Sequence, residues 1–104
     1  MPFILFVGHD PSAKNHTRPL FEYCLSQNYD TKFLDLSILT VDTYIPQVMA
    51  NFQNNNSDNI LVTGCSTNGW EYNIIAATKE ENFIIKTIMI AELGFCNIDA
   101  IRIQ

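Results

Sequence analysis

The sequence predicts an α/β domain, a three-layer, doubly wound, mainly parallel sheet of four or five strands. Three observations predict it. Short greasy runs at Phe3–Val7, Asn59–Thr63 and Ile84–Ala91 have strand length and little polar alternation, as in strands covered on both faces. Segments with helical spacing of apolar residues lie between such runs. Turns rich in Gly, Pro, Asn and Asp punctuate the change from one to the other. Strand–helix alternation of this kind gives a layered fold with right-handed crossovers as the default.

Phe3–Val7 is the first strand, broken by Gly8-His9-Asp10-Pro11-Ser12. The first helix is expected from Pro19, because proline suits the first helical position and disfavours helical angles at Arg18. Leu20, Phe21, Cys24 and Leu25 then share one face, and Asn28-Tyr29-Asp30 ends the helix. Thr31–Leu36 reads as the second strand. Ile45, Val48, Met49 and Phe52 mark the second helix, with Asp42 or Thr43 as its cap and Pro46 in its first turn. Asn51 to Asn59 reads as a solvated loop. Asn59–Thr63 is the third strand, Trp70 to Glu81 the third helix, and Ile84–Ala91 the fourth strand. Ile98–Ile103 resembles a fifth.

Strand 1 is expected beside strands 2 and 3, a Rossmann-like or flavodoxin-like order. Only Glu92 to Asn97 separate the fourth and fifth strands, whereas a parallel crossover needs at least ~10–12 residues. The last strand is therefore expected to pair antiparallel or to belong to something incomplete. The expectation is one domain, 1–104, forming the N-terminal part of a larger protein or completing itself as a homodimer.

The totals narrow the function. Six basic residues against eleven acidic give a net charge of −5, with no basic stripe, which argues against nucleic acid as a partner. Cys24, Cys65 and Cys96 form no CxxC pair, so no zinc site or disulfide framework is expected. Reduced cysteines in a cytoplasmic protein are the expectation. Phe83–Phe95 is cut by Lys86 and Glu92 and falls short of the ~20 residues of a membrane span. No GxGxxG follows the first strand and no GxxxxGK[ST] occurs, so no dinucleotide, P-loop or other cofactor site is expected, and no metal site.

Ligands of open α/β sheets gather outside the carboxyl ends of the strands, where neighbouring strands lead to opposite sides. That point lies between strands 1 and 3, where the segments Gly8–Arg18 and Gly64–Gly69 meet. Both lead into helix N-termini, which attract anions. Candidate ligand-binding residues are Gly8, His9, Ser12, Lys14, Asn15 and Arg18 from the first, and Gly64, Ser66, Thr67 and Asn68 from the second. Ser66 and Thr67 also suit a purely capping role. Lys14 and Arg18 could hold a phosphate. His9 and His16, near Asp10, are candidate general bases. Cys65 beside a helix start reads as inert, and Glu71 in the first helical turn suits the helix dipole without a further role.

Asn15-His16-Thr17-Arg18-Pro19-Leu20-Phe21 resembles the GHxxPLLALA segment of GT-B glycosyltransferases. Tyr29-Asp30-Thr31-Lys32-Phe33-Leu34 is similar to their GHEVxFL, and Asn59–Ser66 with Glu71 and Ala76-Ala77 to their DxVVxGxS…E…AA pattern. Ala13-Lys14-Asn15 replaces the glycine pair that normally precedes the histidine. The resemblance spans roughly residues 3–91. It implies an N-terminal, acceptor-side half-domain taking a sugar-type ligand, with His16 as catalytic base and Asp10 as its orienting partner. A second domain would supply the nucleotide sugar. A non-enzymatic flavodoxin-like module binding a small anion or a protein partner is the alternative.

Overall fold

The computed structural model describes residues 2–53, 58–80 and 85–90. Among the described residues, four strands and three α-helices follow one another as β1 (Phe3–Gly8), α1 (Pro11–Ser26), β2 (Asp30–Asp35), α2 (Tyr44–Gln53), β3 (Asn59–Thr63), α3 (Trp70–Glu80) and β4 (Ile85–Met89). A short 3-10 turn, Leu36–Ile38, follows β2. The sheet has the order β2-β1-β3-β4, and every pairing is parallel. This is the doubly wound, Rossmann- or flavodoxin-like arrangement expected from the greasy runs, with β1 between β2 and β3. The expected fifth strand, Ile98–Ile103, and its pairing direction lie outside the described residues, as does the middle of the Asn-rich loop.

Alternation along the strands sends side chains into two separate layers. Phe3, Leu5 and Val7 of β1 and Leu61 of β3 pack with Tyr44, Val48 and Phe52 of α2 and Ile74 of α3. Ile4, Phe6 and Val62 point the other way, onto Cys24 and Phe21 of α1. Phe6, Phe21 and Phe33 continue that layer edge to face, with ring centroids 5.4 and 5.3 Å apart. All six residues of β1 are buried, as a central strand requires. Burial also pushes the Cys24 thiol up, away from the reactive thiolate form.

The first helix corrects the sequence reading. It starts at Pro11, eight residues before the proline expected to open it, and only His9 and Asp10 separate it from β1. Both prolines follow residues that permit a helix start, but the buried stripe runs through Ala13, Thr17 and Cys24, with Phe21 half-buried. That stripe extends the helical spacing two turns toward the N-terminus. Leu20 and Leu25, expected inside, are 39% and 48% exposed. Pro19 sits within the helix on its exposed side. The Asn15 carbonyl, which loses its i+4 donor there, is also on an exposed residue where water can replace it. Thr17 is wholly buried, and its hydroxyl is satisfied by the carbonyls of Ala13 (3.0 Å) and Lys14 (3.1 Å).

The helix ends at Ser26, and Asn28, in the expected terminating segment, closes it. That residue takes φ 61°, its amide donates to Leu25 O and the Tyr29 amide to Cys24 O, each at 3.1 Å. These are the two bonds of a Schellman ending, with asparagine in the left-handed position that glycine usually fills.

In-phase register brings the carboxyl ends of the strands to one rim. Val7 pairs with Thr63, Gly8 with Asp35, and Thr63 with Met89. Gly64 extends the β1–β3 ladder, its amide donating to Val7 O at 3.1 Å. A methyl group on Gly64 would lie 2.5 Å from Ala13 Cβ and 2.6 Å from Ala13 Cα and O. The first turn of α1 therefore rests directly on the end of β3, and this contact sets the site described next.

Candidate functional site

Two short connections meet at the β1–β3 rim, His9-Asp10 and Gly64–Gly69. A compact hydrogen-bonded knot joins them. The Asp10 amide donates to Ser66 Oγ at 2.9 Å, and Ser66 Oγ donates to Glu71 Oε1 at 2.6 Å. The His9 amide also donates to Glu71 Oε1, at 3.1 Å. Asp10 precedes α1 but makes no side-chain cap to it. Its carboxylate reaches across instead and accepts from the Thr67 amide at 3.0 Å and the Thr67 hydroxyl at 3.2 Å. Its other oxygen meets His9 Nδ1 at 2.9 Å. The bond from His9, the Thr67 amide and hydroxyl, and the charge of His9 together hold the Asp10 carboxyl below its ordinary range, against the opposing effect of burial.

Glu71 lies at the centre of this knot. Spacing explains why it is buried: Glu71, Ile74 and Thr78 stand at i, i+3 and i+7, the stripe of α3 that faces the sheet. Its residue is 0% exposed, and its Oε2 has no hydrogen-bond partner among the described residues. The expectation of an acid needing only the helix dipole is thus corrected. One oxygen of Glu71 ties the β1 and β3 connections together. The Thr63 hydroxyl, on the last residue of β3, is likewise buried without a described partner. Burial, and then the charge of Glu71, push the neighbouring Tyr72 hydroxyl up.

Aromatic rings flank the knot. His9 packs on Trp70 with ring centres 4.6 Å apart and planes 57° apart. Trp70 stacks on Tyr44 at 4.1 Å and 14°. With its Nδ1 on Asp10 and its ring on Trp70, the imidazole of His9 is fixed in direction. The side chains of His9 and Asp10 remain 27% and 25% exposed. His9 Nε2 has no hydrogen-bond partner among the described residues.

Of the residues expected to bind a ligand, the structure brings Gly8, His9, Asp10, Gly64, Ser66 and Thr67 together at the rim. Ser12 stands half-buried on the first turn of α1. Asn68 accepts from the Trp70 amide at 3.1 Å, so it opens α3 as an Asx turn. Because α1 begins at Pro11, the remaining candidates are helical; Lys14 stays beside Gly8 on the β2 side of the rim, and the others lead away from it. Lys14 pairs with Asp35 at 3.2 Å and reaches Ser37. Arg18 lies over the Phe33 ring, 5.1 Å from its centre. Asn15 and His16 occupy the exposed side of the second turn. His16 follows Asp10 by six residues, or roughly 9 Å of helical rise. The imidazole beside Asp10 is that of His9.

The cysteine expectation holds at Cys24, which is free. Cys65 is disulfide-bonded, which corrects the expectation of a reduced thiol there. No cluster of three or more His, Cys, Asp or Glu among the described residues could hold a metal ion. No helix among them is long and apolar enough to cross a membrane.

An acid titration tests the Asp10 contacts. Asp10 has a lowered carboxyl pKa in the folded chain, so its contribution is present above the ordinary carboxylate range. It is lost as pH falls from about 4 through the folded value. Asp10→Asn is expected to lower the urea midpoint at pH 7 and to flatten its decline below about pH 4. Urea unfolding across that pH range is the check, and an unchanged slope would remove the assigned role.

No family model, curated protein or solved structure matches the chain.

Proposed function

We propose that the chain is the acceptor-side α/β domain of a glycosyltransferase-like protein. A hydroxyl-bearing, sugar-type ligand lies on the β1–β3 rim, with His9 as the base on its reacting hydroxyl. One observation carries this reading: His9 Nδ1 is held by Asp10 at 2.9 Å at the carboxyl end of β1. A neutral imidazole whose Nδ1–H is held by a carboxylate keeps Nε2 as a proton acceptor. A base needs a fixed direction and access to its substrate, and the half-buried His9 has both. His16 has the motif position but stands away from Asp10, so the role moves to the histidine that Asp10 orients. A second α/β domain supplies the nucleotide sugar in this reading.

A module for small anions is less well supported. The amides of His9 and Thr67, which would receive an anion at this rim, already end on carboxyl oxygens of Glu71 and Asp10. Lys14 and Arg18 are engaged elsewhere.

Titration with neutral saccharides, and separately with inorganic phosphate, tests the reading. Trp70, the chain's single tryptophan, reports directly from the rim. Saccharides are expected to change its emission and to shift the amide resonances of residues 8–10 and 64–71. His9→Ala is expected to weaken that binding about tenfold, the worth of one hydrogen bond to a ligand hydroxyl. His16→Ala is expected to leave it unchanged. A response to phosphate alone, or equal binding by His9→Ala and wild type, would overturn the proposal.

A further inference from the structure

We infer that Tyr44, locked by Asn73, is a positioning residue for His9, acting through Trp70. The inference rests on the reading of His9 as the ligand-facing base and adds what fixes its direction.

Trp70 is the first residue of α3, where a helix holds a side chain least firmly. Its support comes from Tyr44, the first residue of α2, whose ring lies nearly parallel to the indole at 4.1 Å. Tyr44 is 2% exposed, so its ring has no free volume to turn into. Its hydroxyl accepts from Asn73 Nδ2 at 3.1 Å. Asn73 stands three residues after Trp70 on the same helix, and residues at that spacing are surface neighbours. One turn of α3 therefore both presents the indole and clamps the ring that supports it. Asn73 is exposed and packs no core, so this bond is its described contact with another side chain.

His9 closes the series. Its ring meets the indole at 4.6 Å, and its Nδ1 meets Asp10 at 2.9 Å. The hydrogen bond alone leaves the imidazole small linked rotations about its two side-chain torsions. The indole limits those rotations, and Tyr44 keeps the indole in place. The direction of Nε2 is therefore set from α2, a helix that contributes no group to the rim itself.

The test follows the ring-proton resonances of His9 by NMR in the ligand-free protein, with those of His16 as an internal control. Tyr44→Leu removes the supporting ring. The His9 signals are expected to move toward the positions of an unstacked histidine, the Trp70 emission to change, and the His16 signals to stay. Tyr44→Phe restores the ring and is expected to return the His9 signals most of the way. A purely structural role for Tyr44 would lower the melting temperature without moving these signals. Should Tyr44→Leu fail to fold, Asn73→Ala at its exposed position carries the test, with a smaller shift of the same signals expected. Unmoved His9 signals in the folded variant would overturn the inference. Saccharide binding is measured separately: a several-fold loss in Tyr44→Leu that Tyr44→Phe restores is the expected result. If His9→Ala binds as wild type, the reading of the site fails while the ring-proton result still judges the positioning.

Discussion

Gly64→Ala is expected to lower the unfolding free energy by about 3 kcal/mol, the upper part of the usual range for forcing extra volume into a packed contact. For a domain of this size that is a fall in Tm of roughly 10–20 °C. The added methyl would stand 2.5 Å from Ala13 Cβ and 2.6 Å from Ala13 Cα and O. Two of these three atoms belong to the backbone of α1, which cannot swing aside as a flexible side chain can. The helix itself must lift from the end of β3. Lifting it pulls the Asp10 amide from Ser66 Oγ, so the rim loosens together with the core. Gly69→Ala is the control. Gly69 has φ 75° and nothing within 4 Å of an added Cβ, so it carries only the backbone cost of about 1 kcal/mol. Thermal unfolding of the two variants separates collision from backbone strain, and equal losses would contradict the packing account.

Replacing Glu71 with alanine is expected to cost a similar amount, about 3 kcal/mol. The change leaves the amide of His9 and the hydroxyl of Ser66 without their acceptor. Each unsatisfied buried group costs about 1–3 kcal/mol, and the vacated volume adds to this. Glu71→Gln keeps the shape and one acceptor oxygen, so it is expected to lose less, about 1 kcal/mol. Denaturant unfolding of the pair checks the order. Equal stability of the alanine variant and wild type would show that the bridge contributes nothing. Amide exchange offers a local readout, because the amide of His9, and that of Asp10 held by Ser66 Oγ, should exchange faster in Glu71→Ala even below the transition.

Sheet and rim were legible in the sequence because they follow from local pattern. The unbroken greasy run Phe3–Val7 marks a strand covered twice, and covered strands take the middle of a doubly wound sheet. Once β1 lay between β2 and β3, the meeting of the residues after Gly8 and after Thr63 followed from topology alone. The start of α1 was less legible. Pro11 and Pro19 carry the same local signal, and the choice between them depended on Ala13 and Thr17. Those two residues look neutral in a sequence and matter only because Gly64 lets the helix approach so closely. With the helix start misplaced, an apparent eleven-residue loop held His16 and Arg18 at a rim they do not reach, and left Lys14 without its place against Gly8 and Asp35.

Glu71 was hidden for a different reason. An acidic residue in a first helical turn is ordinarily explained by the dipole, and its burial became visible only with the sheet in place. The spacing Glu71, Ile74, Thr78 was the available signal. The stacking of His9 on Trp70 and of Trp70 on Tyr44 joins residues 61 and 26 positions apart, and no local pattern announces such a contact.

A last consequence comes from the two-residue passage between β1 and α1. With His9 and Asp10 tied at main chain and side chain alike, this stretch contains no hinge. A molecule settling on the rim would find its mould already set, and little conformational freedom would be surrendered on contact. Residues 8–10 should show nearly the same backbone order parameters before and after association, which would make recognition here a matter of fit and not of folding.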